Sequence, residues 1–202
     1  LLKIAVLISG NGSNLQAILD SIDCGILKCS VEMVISDRKE AYGLERAKQR
    51  NIKTYIVNRS EKNISREILE LTIGKVQLIV LAGFLSILNG EIIEKFRNRI
   101  INIHPSLIPA FCGKGMYGVK VHEAAVNYGV KYSGCTVHFV DEGTDSGAII
   151  CQKTVPVYNE DTAETLQKRV LVEEHKLLPK AINYFAEDKI RSEGRKVFVI
   201  EE

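Results

Sequence analysis

Tryptophan is missing from this 202-residue sequence, and only 6% of its residues are aromatic. That leaves little with which to build a base-stacking surface for nucleic acid. An excess of charge of either sign is missing too: 27 basic residues face 25 acidic ones. The basic footprint of a nucleic-acid binder is therefore not expected. No apolar run is long enough to cross a bilayer. The apolar opening, residues 1–8, lacks the charged start and cleavage site of a secretory leader, and Gly10 and Gly12 end it as a strand. Five cysteines (Cys24, Cys29, Cys112, Cys135, Cys151) are odd in number and scattered, with no Cys-x-x-Cys among them. They outline neither a zinc site nor a disulfide framework, and free thiols suit a reducing cytoplasm.

What is present is a large apolar fraction, 46% of the chain. In 202 residues this predicts one domain with a substantial core, spanning 1–202. Short apolar runs at 4–8, 31–35, 54–57, 78–81 and 100–104 read as strands, and helical stretches separate them. Strand and helix alternate five times, which predicts an α/β fold: a doubly wound, mostly parallel sheet with helices on both faces. Further on, a helix is expected over 119–128, strands over 132–140 and 148–155, a long helix from about 162, and a last strand over 197–200. Asn89 is expected to cap a short helix, and Pro179 to kink the long helix or divide it in two.

Ligands of such a sheet belong at the carboxyl ends of its strands. Three features fall there. Ser9-Gly10-Asn11-Gly12-Ser13-Asn14 joins a strand to a helix, the arrangement in which backbone amides hold an anion. Leu15 stands where a dinucleotide fingerprint needs a third glycine, so a single phosphate group is the expected ligand. Residues 82–88 are apolar yet carry Gly83 and Ser86, as a compact turn beside a ligand pocket does. Asn102 and His104 lie two apart on a strand that Pro105 and Pro109 bring to a stop, so they share one face. One is an amide donor, and the other moves a proton near neutral pH. Asp145 beside His104 would hold the imidazole as a proton donor. The spacing of His104, His122, His138 and Asp145 fits no metal motif, so no metal is expected. Along the long helix Leu166, Val170, Leu177, Leu178 and Ala181 form an apolar stripe, and Glu174 interrupts it. A carboxylate there needs a partner in the protein or a ligand amine. Glycines 113, 115 and 118 mark the loop after Pro109 as a candidate lid.

These residues together resemble the phosphoribosylglycinamide formyltransferases, folate-dependent enzymes of purine biosynthesis. The likeness is carried by residues 8–17 (Ile-Ser-Gly-Asn-Gly-Ser-Asn-Leu-Gln-Ala), Leu81-Ala82-Gly83-Phe84, Asn102-Ile103-His104-Pro105-Ser106-Leu107, residues 134–139 and Glu174-His175. The order and spacing of five motifs cover almost the whole chain. The resemblance implies a Rossmann-like formyltransferase fold and transfer of the formyl group of 10-formyltetrahydrofolate to the amine of glycinamide ribonucleotide. It implies that Gly12, Ser13 and Asn14 hold the ribonucleotide phosphate and that Glu174 faces its amine or ribose. Leu85, Ser86, Ile87 and Leu88 would line the pterin pocket, Arg59 and Asn102 would also contact the folate, and Asn102, His104 and Asp145 would be the catalytic trio. Residues 1–100 are then the phosphate-binding half and 101–202 the catalytic and folate-binding half. The expected partners are small molecules, with no nucleic acid and no membrane, for a monomer or homodimer. Ser86 stands where many relatives carry arginine, which leaves contacts there to the backbone. Two alternatives are a methionyl-tRNA formyltransferase, against which the acidic end without a basic extension weighs, and a non-catalytic nucleotide-binding module.

Overall fold

The structure is a computed structural model that describes residues 1–58 and 64–200. Its main sheet has seven strands in the order β3-β2-β1-β4-β5-β6-β7. The first five strands, β1 (Leu2–Ile8), β2 (Cys29–Ser36), β3 (Lys53–Ile56), β4 (Leu78–Leu81) and β5 (Ile100–His104), are parallel neighbours. The last two, β6 (Tyr132–Phe139) and β7 (Ile149–Pro156), run antiparallel. The sheet is thus mostly parallel, as the alternation of strands and helices predicts. Among the described residues six helices accompany it: α1 (Ser13–Asp23), α2 (Gly43–Gln49), α3 (Ile64–Thr72), α4 (Glu91–Lys95), α5 (Val119–Tyr128) and α6 (Ala163–Ala186).

Both faces of the sheet are buried, and the period-two pleat divides the strand residues between them. Ile4, Val6 and Ile8 of β1 pack with Leu15 and Ile18 of α1 and with Leu166 and Val170 of α6. Ala5 and Leu7 face the other way, onto Ile68 of α3 and Ile92 of α4. On β5, Ile101 and Ile103 join the first of these cores and Ile100 the second. Asn102 and His104 therefore share the α3/α4 side with Ile100.

Strand β1 lies between β2 and β4. The chain winds outward to β3, crosses back to β4 and continues the other way. The reversal opens a crevice at the carboxyl ends of β1 and β4, the place where open α/β sheets bind ligands. Two short bonds stitch its walls together: Ser9 N donates to Gly83 O at 3.0 Å, and Leu85 N to Ser9 Oγ at 2.8 Å.

Two local expectations are corrected, and one strand is added. Pro179 does not divide the long helix, which runs 24 residues with the proline inside it. Pro179 and its neighbours Leu177, Leu178, Ala181 and Ile182 are buried, and that packing outweighs the missing amide bond. Asn89 is not the cap of α4: Gly90 precedes the helix and no side chain caps it. The final strand, β9 (Lys196–Val199), pairs with β8 (Ile190–Glu193), whose mixed, mostly exposed residues give little strand signal.

Candidate active site

A cavity of about 710 Å³ occupies the crevice. Its walls are residues 9–14 after β1, 81–88 around the end of β4, 102–105 at the end of β5 and 113–118 beyond it, the 141–145 turn, and Gln167, Leu171 and Glu174 of α6. The size suits a substrate of drug-like dimensions or larger.

The glycine loop comes first in chain order. Gly12 takes a left-handed backbone (φ 71°), and no side chain caps α1 behind it. The first amides of the helix are left for an outside acceptor, which is what an anion site requires. A Cβ on Gly12 would stand 2.7 Å from Gly43 Cα, so only glycine fits between loop and α2. Asn14 is buried and donates from Nδ2 to Glu174 Oε2 at 2.7 Å. Glu174, the carboxylate that interrupts the apolar stripe, thus has a partner in the protein. Burial still pushes its carboxyl above the usual range, against the smaller lowering by Asn14. Asn14 Oδ1 is buried with no protein donor. An orphaned acceptor of this kind wants a donor supplied by a ligand.

The second group sits where β5 ends. Its antiparallel pairing with β6 sets Asn102 opposite His138. Asn102 Nδ2 approaches His138 Nε2 at 3.1 Å, and His138 Nδ1 approaches the Phe139 carbonyl at 2.8 Å. A carbonyl only accepts, so Nδ1 carries the proton and Nε2 accepts from the amide. Burial pulls the His138 pKa down, which agrees with a neutral ring. The amide is thereby locked with its second N–H free. His104 is 3% exposed, with Nε2 donating to the Phe111 carbonyl at 2.9 Å and Nδ1 facing Asp145 Oδ2 at 3.5 Å. Asp145 has φ 55°, in the left-handed region that aspartate tolerates better than most residues. Its Oδ2 accepts from Gly113 N at 3.0 Å, and its Oδ1 lies 3.7 Å from His138 Nε2. The expected Asn102, His104 and Asp145 are therefore brought together. Phe111 and Gly113 tie the start of the glycine-rich segment to His104 and Asp145.

The chain matches the formyl transferase family model over residues 2–182. The chain belongs to this family. Among members, it is 40% identical to the phosphoribosylglycinamide formyltransferase of Haemophilus influenzae, over 94% of this chain and 89% of that one. It is 38% identical to the chloroplastic enzyme of that name from Arabidopsis thaliana, over 94% of this chain. The chain spans 62–67% of the length of two plant relatives. The crystal structure of glycinamide ribonucleotide transformylase 1 from Symbiobacterium toebii superposes with a TM-score of 0.93 at 43% identity, covering 100% of this chain and 95% of that one. Such a likeness fixes the fold as that of the formyl transferases.

The remaining expected residues of this formyl transferase fall as follows. Leu85, Ser86, Ile87 and Leu88 all line the cavity. Ser86 Oγ donates to Asp37 Oδ2 at 2.7 Å, so its side chain is engaged by the end of β2. Arg59 lies outside the described residues. Among the described residues no cluster of three or more metal-ligating side chains occurs, and no helix is long and apolar enough to cross a membrane. Sequence reasoning missed His138 as a site residue. Its only signal is its place opposite Asn102, which requires the β5–β6 register. It also missed the Phe111 carbonyl, since a backbone atom leaves no signature in residue type.

Proposed function

We propose that the chain transfers the formyl group of 10-formyltetrahydrofolate directly to the amine of 5'-phosphoribosylglycinamide, a step of de novo purine biosynthesis. The observation that carries this reading is the meeting of Asn102, His104 and Asp145 in the same cavity as the uncapped α1 loop and the Asn14–Glu174 pair. An anion site and a proton-transfer site share one space, as a phosphorylated amine and an acyl donor require.

The amides of Gly12, Ser13 and Asn14 hold the phosphate at the positive end of α1. Glu174 and the free Asn14 Oδ1 face the ribose or the glycinamide amine. The folate's pterin lies along 85–88, with Arg59 and Asn102 also against the folate. The amine nitrogen attacks the formyl carbon, forming a C–N bond and placing negative charge on the formyl oxygen. The second N–H of Asn102 and a protonated Nδ1 of His104 donate to that oxygen. Each such donor contributes roughly 3–4 kcal/mol. His104 Nε2 is taken by Phe111, so Nδ1, which also faces Asp145 Oδ2 at 3.5 Å, is the nitrogen that turns to the substrate. Collapse of the tetrahedral species breaks the bond to the folate nitrogen, and the proton lost by the amine ends there, relayed by His104 and Asp145. Residues 1–100 form the phosphate-binding half, together with the pterin segment. Residues 101–202 form the catalytic and folate-binding half. The chain works as a monomer or homodimer in the cytoplasm, where its free thiols stay reduced.

The purified chain, given both substrates and no added metal, is expected to release formylglycinamide ribonucleotide. Absence of product with active folate present overturns the proposal. His104→Ala and Asp145→Ala are each expected to cut turnover at least ~100-fold while the ribonucleotide still binds. Near-full activity in both refutes the assigned roles.

A further inference from the structure

Helix α2 begins directly against the glycine loop. Gly43 N donates to Gly10 O at 3.1 Å; a Cβ on Gly12 would stand 2.7 Å from Gly43 Cα, and one on Gly43 would meet Ile8 Cδ1. One turn later Arg46 closes on the same loop with all three guanidinium nitrogens. Nε donates to the Asn11 carbonyl at 2.9 Å, Nη2 to Asn11 Oδ1 at 3.2 Å and Nη1 to Gln16 Oε1 at 2.9 Å. The guanidinium carbon lies 4.9 Å from the Tyr42 ring centre, which braces the fork from behind. One side chain thus grips the loop by main chain and side chain, and grips the first turn of α1 through Gln16. Gln16 is fixed in turn, its Nε2 donating to Asp20 Oδ1 at 2.7 Å.

We propose that Arg46 is the positioning residue of the phosphate loop and sets the affinity for the phosphorylated substrate. The inference rests on the functional reading above. Its physical basis is the planarity of the peptide. In a trans peptide the carbonyl and the following N–H point in opposite directions. Drawing the Asn11 carbonyl onto Arg46 turns the Gly12 N–H away from Arg46. The same bond holds the Asn11 carbonyl on the far side of the loop, and it stations a full positive charge behind the loop. Arg46 acts through Asn11 and Gln16. It does not line the cavity that holds Asn102, His104 and Asp145, so its effect belongs to binding of one substrate.

The test is steady-state kinetics on the full chain with both substrates varied, for Arg46→Gln and Arg46→Lys. Arg46→Gln is expected to raise the KM for the ribonucleotide about tenfold or more, with kcat and the KM for the formyl folate changed by less than about twofold. Competitive inhibition by inorganic phosphate weakens in parallel. Arg46→Lys falls between, because an ammonium keeps the charge but cannot fork to three acceptors. An unchanged ribonucleotide KM overturns the proposal. So does an equal loss in both KM values and kcat, which reports general loosening of the fold. If the unaltered chain makes no product, the functional reading fails by itself. Arg46 is then judged by whether inorganic phosphate raises the melting temperature of the unaltered chain and not that of Arg46→Gln.

Discussion

His122, the fourth residue of α5, is 1% exposed and lines the active-site cavity. Burial first, and the nearby His104 second, pull its pKa from 6.5 to about 4. The folded-state pKa lies below the unfolded one, so the unfolded chain takes up a proton first as the pH falls. The stability contribution is complete above about pH 6.5 and disappears on acidification through about pH 4, up to ~3 kcal/mol for a shift of this size. His122→Gln cannot titrate and is expected to show a shallower acid loss. Urea midpoints of both proteins at pH 7 and pH 4.5 measure the difference, and identical losses contradict it. Other site residues differ in how far the sequence betrayed them. Asn102 and His104 were legible because strand alternation and Pro105 put them on one face at a strand end. Glu174 was legible because a carboxylate in an apolar stripe is out of place. His138 and Arg46 were not, because their partners lie 36 and 35 residues away and the meeting depends on register and helix packing.

Among the elements, α6 best separates local from tertiary causes. Its start is written locally: Thr165 N donates to Thr162 Oγ1 at 3.3 Å, and Thr162 N to Thr165 Oγ1 at 2.9 Å, a reciprocal cap. Arg169 grips Asp161 just before the helix with two bonds of 2.6 and 2.8 Å. That pairing holds the Asp161 carboxyl well below the usual range. Thr162→Ala is expected to cost about 1 kcal/mol of stability and to leave the kinetic constants alone, as chemical unfolding alongside an activity assay reveals. A matching fall in kcat implicates the helix start in the chemistry and rejects a purely structural cap. The passage of α6 through Pro179 has the opposite origin. Locally a proline ends a helix, and only the buried face on either side keeps this one whole.

At the scale of the whole molecule, the glycine loop after β1, the 85–88 segment and the Asn102, His104 and Asp145 group hang from one sheet. The β4–β5 ladder and the packing of α1 with α6 tie the first hundred residues to the rest. Unfolding is therefore expected as one transition, with far-ultraviolet dichroism and tyrosine fluorescence reporting the same midpoint. Together the two substrates should shift it upward, each by about 2.7 kcal/mol at a hundredfold excess over its Kd. Separate midpoints for the two probes argue for halves that melt independently.

The sequence by itself determined the kind of sheet, the loop after β1 and the end of β5. Each of these depends on residues close together in the chain: apolar period, glycine placement and a proline that cannot continue a ladder. It also determined the family, because five motifs in order leave few alternatives. The tertiary structure alone decided which atoms of Asn102 and His104 are already engaged. The β5–β6 register spends one Asn102 proton on His138, and the returning loop spends His104 Nε2 on Phe111, which leaves the second amide proton and the Nδ1 that faces Asp145. Local residue type cannot encode that choice, because a side chain with several donors gives them up only to the partners that folding brings within 3 Å or so.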